Sequence, residues 1–231
     1  MTSNNTMIQE MFKAGAHFAF SKTRRHPTAA PFIFGVKNKV EIFDLEKTSA
    51  VLAEAKAFVE SLAKENKTIL FVGGKSEARN ALKIGAMSLN MPYVDGRWIG
   101  GTLTNFPQIK KRVEKMEKLT QEREKGELAK YTKKERLLID REIANLERFF
   151  SGIVSMKDMP KALFVIDPKK EKTAVKEAQD MGIPVIALLG SDCNLKEIDF
   201  PIVGNDASQS SISFFVQEIT KAYSSAKPSV V

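Results

Sequence analysis

Thr68-Ile-Leu-Phe-Val-Gly-Gly-Lys-Ser76 is the segment on which the fold turns. Its apolar start reads as a short strand that stops at Gly73-Gly74. The stretch from Lys75 to Leu89 then places Ala78, Leu82 and Met87 among polar neighbours at helical spacing. Pro92-Tyr-Val94 reads as a second short strand. The unit recurs downstream. Ala162-Leu-Phe-Val-Ile-Asp167 is an apolar run that Pro168 ends, and a helical stretch follows from Glu171 to Met181, with Gly182 as its stop. Pro184-Val-Ile-Ala-Leu-Leu-Gly190 is another buried strand, and residues 208–223 form a last amphipathic helix. Continuous apolar strands alternating with helices predict an α/β fold, a parallel sheet covered on both faces.

Upstream, Phe32-Ile-Phe-Gly35 and Val40-Glu-Ile-Phe43 form two short runs around the turn-prone Lys37-Asn-Lys39, and a helix is expected over 46–64. The middle of the chain differs. Over 107–148 charge is dense and no strand signal appears. Ile109, Val113, Met116 and Leu119 form one narrow apolar stripe, and Ile139, Ile143, Leu146 and Phe150 another. Between them Thr132 and Glu135 have the spacing of a capping box. Each stripe suits a single partner helix, so the segment is expected to be an antiparallel helical hairpin about 30 Å long. The competing arrangement is a helix pair lying flat on the sheet, with Leu137 and Leu138 covering core. The expected organisation is a discontinuous α/β domain over 1–106 and 149–223, the arm over 107–148 and a frayed tail over 224–231.

The chain has 231 residues, 36 basic against 28 acidic, for a formal charge of +8, and 43% hydrophobic residues. That composition excludes wholesale disorder. No stretch approaches the roughly 20 apolar residues of a membrane span. The polar first ten residues lack the pattern of a secretory leader. Cys193 is the one cysteine, which excludes an intrachain disulfide and leaves a reducing cytosol as the expected setting. A pI near 9.4 points to a polyanionic partner: nucleic acid, an anionic membrane face or phosphorylated substrates.

Catalytic candidates are few. Gly73-Gly74-Lys75 after a strand suggests a phosphate loop, yet the position that needs the first glycine of that motif is Ile69. An anion contact at the following helix N-terminus, with Lys75, stays open. His17 and His26 stand in no triad or metal spacing. Asp167 ends a strand, where α/β enzymes place catalytic acids, but its neighbours Lys169 and Lys170 suggest a structural ion pair. The basic segments are stronger signals: Lys22, Arg24 and Arg25 in a loop that His26-Pro27 closes, Arg97-Trp98 before a glycine pair with Thr102, Thr104 and Asn105, and Lys110-Lys-Arg112 at the base of the arm. Trp98 either fills the core or stacks on a partner. Three functions compete: an RNA-binding structural protein, an enzyme handling a phosphorylated nucleotide or sugar through Lys75 and Asp167, and a free nucleic-acid-binding regulator.

Six strings carry a resemblance over nearly the whole chain: Ala14-Gly-Ala-His-Phe18, Pro31-Phe-Ile-Phe-Gly35, Ile69-Leu-Phe-Val-Gly-Gly-Lys75, Arg97-Trp-Ile-Gly-Gly-Thr-Leu-Thr-Asn-Phe106, Ala162-Leu-Phe-Val-Ile-Asp-Pro168 and Gly204-Asn-Asp206. In order and spacing they resemble the bacterial type of the universal small-ribosomal-subunit protein two family. The resemblance implies a flavodoxin-like or Rossmann-like parallel sheet of about five strands, with an inserted coiled coil and no enzymatic activity or cofactor. It implies a seat on the solvent side of the small subunit near the head–body junction, with small-subunit rRNA and neighbouring proteins as partners, small-subunit protein one among them where present. The expected RNA contacts are Lys22, Arg24, Arg25, Lys75, Arg97, Trp98, Thr102, Thr104, Asn105, Lys110, Lys111 and Arg112. Phe20 stands where the family has a second histidine, and Gly190-Ser-Asp-Cys193 replaces its Asp-Thr-Asn-Cys, which argues against a metal at those positions.

Overall fold

A computed structural model describes residues 2–227. In chain order the elements are α1 (Thr2–Lys13), β1 (Ile33–Lys37), β2 (Val40–Phe43), α2 (Leu45–Lys64), β3 (Ile69–Val72), α3 (Ser76–Ser88), β4 (Tyr93–Val94), α4 (Phe106–Glu124), α5 (Lys133–Phe150), β5 (Ala162–Ile166), α6 (Lys172–Asp180), β6 (Val185–Leu189), β7 (Phe200–Val203) and α7 (Gln209–Ala226). The main sheet is parallel, in the order β4-β3-β5-β6-β7. The antiparallel pair β1–β2 forms a separate hairpin, whose turn carries left-handed Asn38 and Lys39.

Alternation along each strand divides the core. Ile69, Phe71, Phe164, Ile186, Leu188 and Ile202 face α2, α3 and α7. Leu70, Val72, Leu163, Val165, Ala187 and Val203 face the other way, onto α6, Trp98 and the roots of α4 and α5. Both faces are therefore dry, which is why the strands read as unbroken apolar runs rather than as alternating ones.

Four features depart from the sequence reading. The sheet has the five parallel strands that the resemblance implied, but the fifth is Phe200-Pro-Ile-Val203, where no strand was expected, and its proline is tolerated because β7 is an edge that pairs only with β6. The polar start of the chain forms α1, pinned by the fully buried Met11. At the other end α7 runs on through Ser224, Ser225 and Ala226, because Ala226 packs against the core and the Tyr223 hydroxyl donates to the Lys67 carbonyl at 2.9 Å. The rest of the expected frayed tail, 228–231, lies outside the described residues. The arm differs as well: the basal members of its stripes, Ile109, Val113, Met116, Leu146 and Phe150, join the sheet-side core rather than only each other.

Farther out, α4 and α5 pack on one another. Lys115 pairs with Glu142, and Arg123 lies 3.8 Å from Glu147. The Thr132–Glu135 capping box forms in full at the start of α5. Leu137 and Leu138 are 51% and 54% exposed and belong to neither face of the core. Excising residues 121–136 and closing the gap with a short glycine-rich turn should therefore cost the domain less than about 3 kcal/mol, roughly the cost of emptying one large core position. Urea melts of the shortened chain measure this, and a larger loss would mean that the distal arm supports the core.

Candidate nucleic-acid interface

In a sheet of this order the ligand crevice lies at the switch point, beyond the carboxyl ends of β3 and β5, where connections leave in opposite directions. Here the chain fills that place with its own charges. The Lys75 ammonium donates to Asp206 Oδ2 at 2.8 Å and lies 2.7 Å from Asp167 Oδ2, with the lysine side chain only 8% exposed. Burial pulls the Lys75 pKa down, but the two carboxylates outweigh it and raise the value, so the lysine is charged. Beside it the Gly74 N–H, which a phosphate loop would offer to its ligand, donates instead to Glu171 Oε1 at 3.1 Å. A side chain on Gly74 would meet the Gly96 carbonyl at 2.7 Å and Glu171 at 2.8 Å, so the glycine serves close backbone packing. Titration with ATP, GTP or NAD should accordingly show no binding tighter than millimolar, about −4 kcal/mol. A micromolar heat signal would contradict this arrangement.

The loop from Arg97 to Asn105 is organised by a residue that sequence patterns did not single out, Glu177 of α6. Its Oε1 accepts from the Trp98 indole at 3.1 Å and from the Gly101 N–H at 2.8 Å. Its Oε2 accepts from the Leu103 N–H at 3.0 Å, and from the N–H and hydroxyl of Thr104, each at 3.3 Å. Burial alone would raise a carboxyl pKa, but these donors outweigh it and hold Glu177 below the ordinary glutamate range. Nothing local in the sequence announces this hub, since Glu177 follows Trp98 by 79 residues. Trp98 is 7% exposed and belongs to the core, which settles its role as a plug rather than a stacking platform. Thr102 is also buried, its hydroxyl donating to the Ile99 carbonyl.

What the hub presents outward is cationic. Arg97, Thr104 and Asn105 are exposed around it, and α4 begins at once, carrying exposed Lys110, Lys111 and Arg112. The N-terminal loop reaches the same carboxyl edge of the sheet, about 14 Å away across three strand spacings. It is tied to the end of β6: Phe20 N–H donates to the Ser191 hydroxyl and His26 N–H to the Ser191 carbonyl. Lys22 is exposed there. Arg24 lies over the Phe20 ring at 4.3 Å and 3.7 Å from Asp192. Arg25 is committed inward, donating to the fully buried Glu41 at 2.8 Å. The structure thus buries Lys75, Trp98 and Thr102 and turns Arg25, whose side chain is 26% exposed, onto Glu41. Drawing either cation outward would leave a buried carboxylate unpaired. Cys193 is buried too, which pushes its thiol up to about 12 and keeps it unreactive.

Because its folded-state pKa is lowered, Glu177 contributes stability above its unfolded value of about 4.3, and that contribution is lost as pH falls through the lower folded value. Glu177→Gln replaces one acceptor by a donor facing N–H groups. At pH 7 it should cost about 1–3 kcal/mol, and its melting temperature should fall less than the parent's on acidification through that window. Parallel thermal melts across the acid range test both expectations.

A model of the family described as ribosomal protein S2 matches residues 11–226. A small ribosomal subunit protein uS2 of Nitratiruptor sp. is 43% identical over 93% of this chain and 80% of its own length. That of Sulfurimonas denitrificans is 41% identical over 95% of this chain and 85% of its own. The counterpart from Coprothermobacter proteolyticus is 39% identical over 93% and 80% respectively. A filled ligand crevice beneath a carboxylate-braced basic rim, together with these matches over nearly its whole length, means that the chain belongs to the ribosomal protein S2 family of structural, non-enzymatic proteins.

Proposed function

We propose that this chain is a ribosome-bound structural constituent of the small subunit that holds small-subunit rRNA against the carboxyl edge of its sheet. The observation that carries the proposal is the division of charge at that edge. Buried cations are matched by carboxylates, while Arg97, Lys110, Lys111 and Arg112 are exposed beside a loop that five hydrogen bonds to Glu177 hold in place. Rigid presentation matters because phosphate binding gains little if the cations must first be ordered. Lys22 and Arg24 extend the surface from the N-terminal loop. The seat near the head–body junction follows from the family resemblance. The resemblance also implies help in seating small-subunit protein one where the organism has it, and the arm, whose narrow stripes leave its distal half exposed, is the element we assign to docking neighbouring subunit proteins.

Gradient centrifugation at physiological salt should place the protein with small subunits, and a purely soluble distribution would refute the proposal. Changing Lys110, Lys111 and Arg112 together to alanine should lower the magnitude of the log–log salt slope of subunit binding by about 2–3, at about 0.7–0.9 per phosphate contact. An unaltered slope would remove the base of α4 from the interface.

A further inference from the structure

We infer that the RNA-binding surface continues across α6 along a lysine band, Lys169, Lys170, Lys172 and Lys176, whose ligand is the phosphate backbone of the same rRNA; this rests on the function proposed above.

The argument begins with the two faces of one short helix. Inward, α6 buries Ala174, Val175 and Ala178 and presents Glu177 to the Arg97 loop. Outward it presents Lys172 and Lys176, four residues and so about 6 Å apart along the axis. Both are exposed, and neither has an ion-pair partner among the described residues. Together with Lys169 they line a surface groove of about 530 Å³ that His26 of the N-terminal loop also borders. On the other side of the same helix start, Lys170 and Arg97 share a smaller cavity of about 290 Å³. Arg97 and the α6 lysines are thus neighbours, although more than seventy residues separate them in the chain.

One carboxylate joins this band to the N-terminal loop. Asp192 Oδ2 lies 2.8 Å from the Lys169 ammonium and 3.7 Å from Arg24. Its own side chain is 7% exposed, whereas that of Lys169 is 56% exposed. The acid therefore positions two cations while contributing little surface of its own, and hydrogen bonding to it raises the Lys169 pKa. Two further carboxylates, Asp180 and Glu197, close the groove at the C-terminal end of α6 and set the limit of the band. The positive strip between them and Arg97 fits an extended polyanion.

The test uses the full chain and small subunits stripped of their own copy of this protein. Lys172→Ala with Lys176→Ala keeps helix propensity high and should leave the thermal melt unchanged. The salt slope of subunit binding should fall in magnitude by about 1.4–1.8, two contacts at about 0.7–0.9 each. Arginine at both positions should restore the slope. If the parent binds and the alanine pair binds with the same slope, the α6 band is overturned while the Arg97 and α4 surface stands. Weaker binding with an unchanged slope would also overturn it, since the lysines would then meet something other than phosphate. A parent chain that fails to bind stripped subunits at all would instead overturn the function on which the inference rests.

Discussion

The contact of Lys75 with Asp167 and Asp206 is the constraint around which the carboxyl edge of the sheet is arranged. The three residues follow β3, β5 and β7, so one ammonium ties the adjacent ends of β3 and β5 to that of the edge strand β7, two places beyond β5 in the sheet order. Two buried carboxylates without that cation would be strongly unfavourable, and removing one partner of such a set typically costs about 3–5 kcal/mol. The same contact occupies the crevice where other proteins of this topology bind nucleotides. Gly190 leaves room for it, since a Cβ there would stand 2.7 Å from Asp206 Oδ1. A scaffold suited to small-molecule chemistry has become a rigid block with its charges locked inside.

That block gives the outer cations their value. Glu177 reaches out of α6 to brace the loop beginning at Arg97, and Asp192 reaches from the end of β6 to brace Arg24 and Lys169. Asp192 contacts the two bases directly, whereas Glu177 holds the backbone and indole of the loop that carries Arg97, and both acids are themselves largely buried. In the function proposed here, the exposed side chains meet a phosphate backbone at small entropic cost. The arm follows the same division: its root is part of the sheet-side core, and its distal half, with Leu137 and Leu138 in solvent, is not.

Much of this architecture was legible in the sequence, and for local reasons. Strands buried on both faces must be apolar throughout, so β3, β5 and β6 stood out as runs. The Thr132–Glu135 box was readable because capping involves residues only three apart. The strand β7 escaped notice because its proline reads as a strand breaker, and only its edge position makes that proline harmless. The helix α1 escaped because its composition is mostly polar and a few buried residues such as Met11 anchor it.

The candidate site divides along the same line. Sequence by itself determined the fold class, the excess of positive charge, the basic segments and the family strings, all properties of composition or of near neighbours. Only the tertiary structure decided which cations are available. Lys75 and Arg25 look as free as Arg97 in the sequence, yet each meets a buried carboxylate, Lys75 meeting one that lies 131 residues away. Trp98 could equally have faced solvent until Glu177, 79 residues on, drew its indole inward. Charge pairing and burial depend on which distant segments the sheet order brings side by side, and no local pattern of residues encodes that.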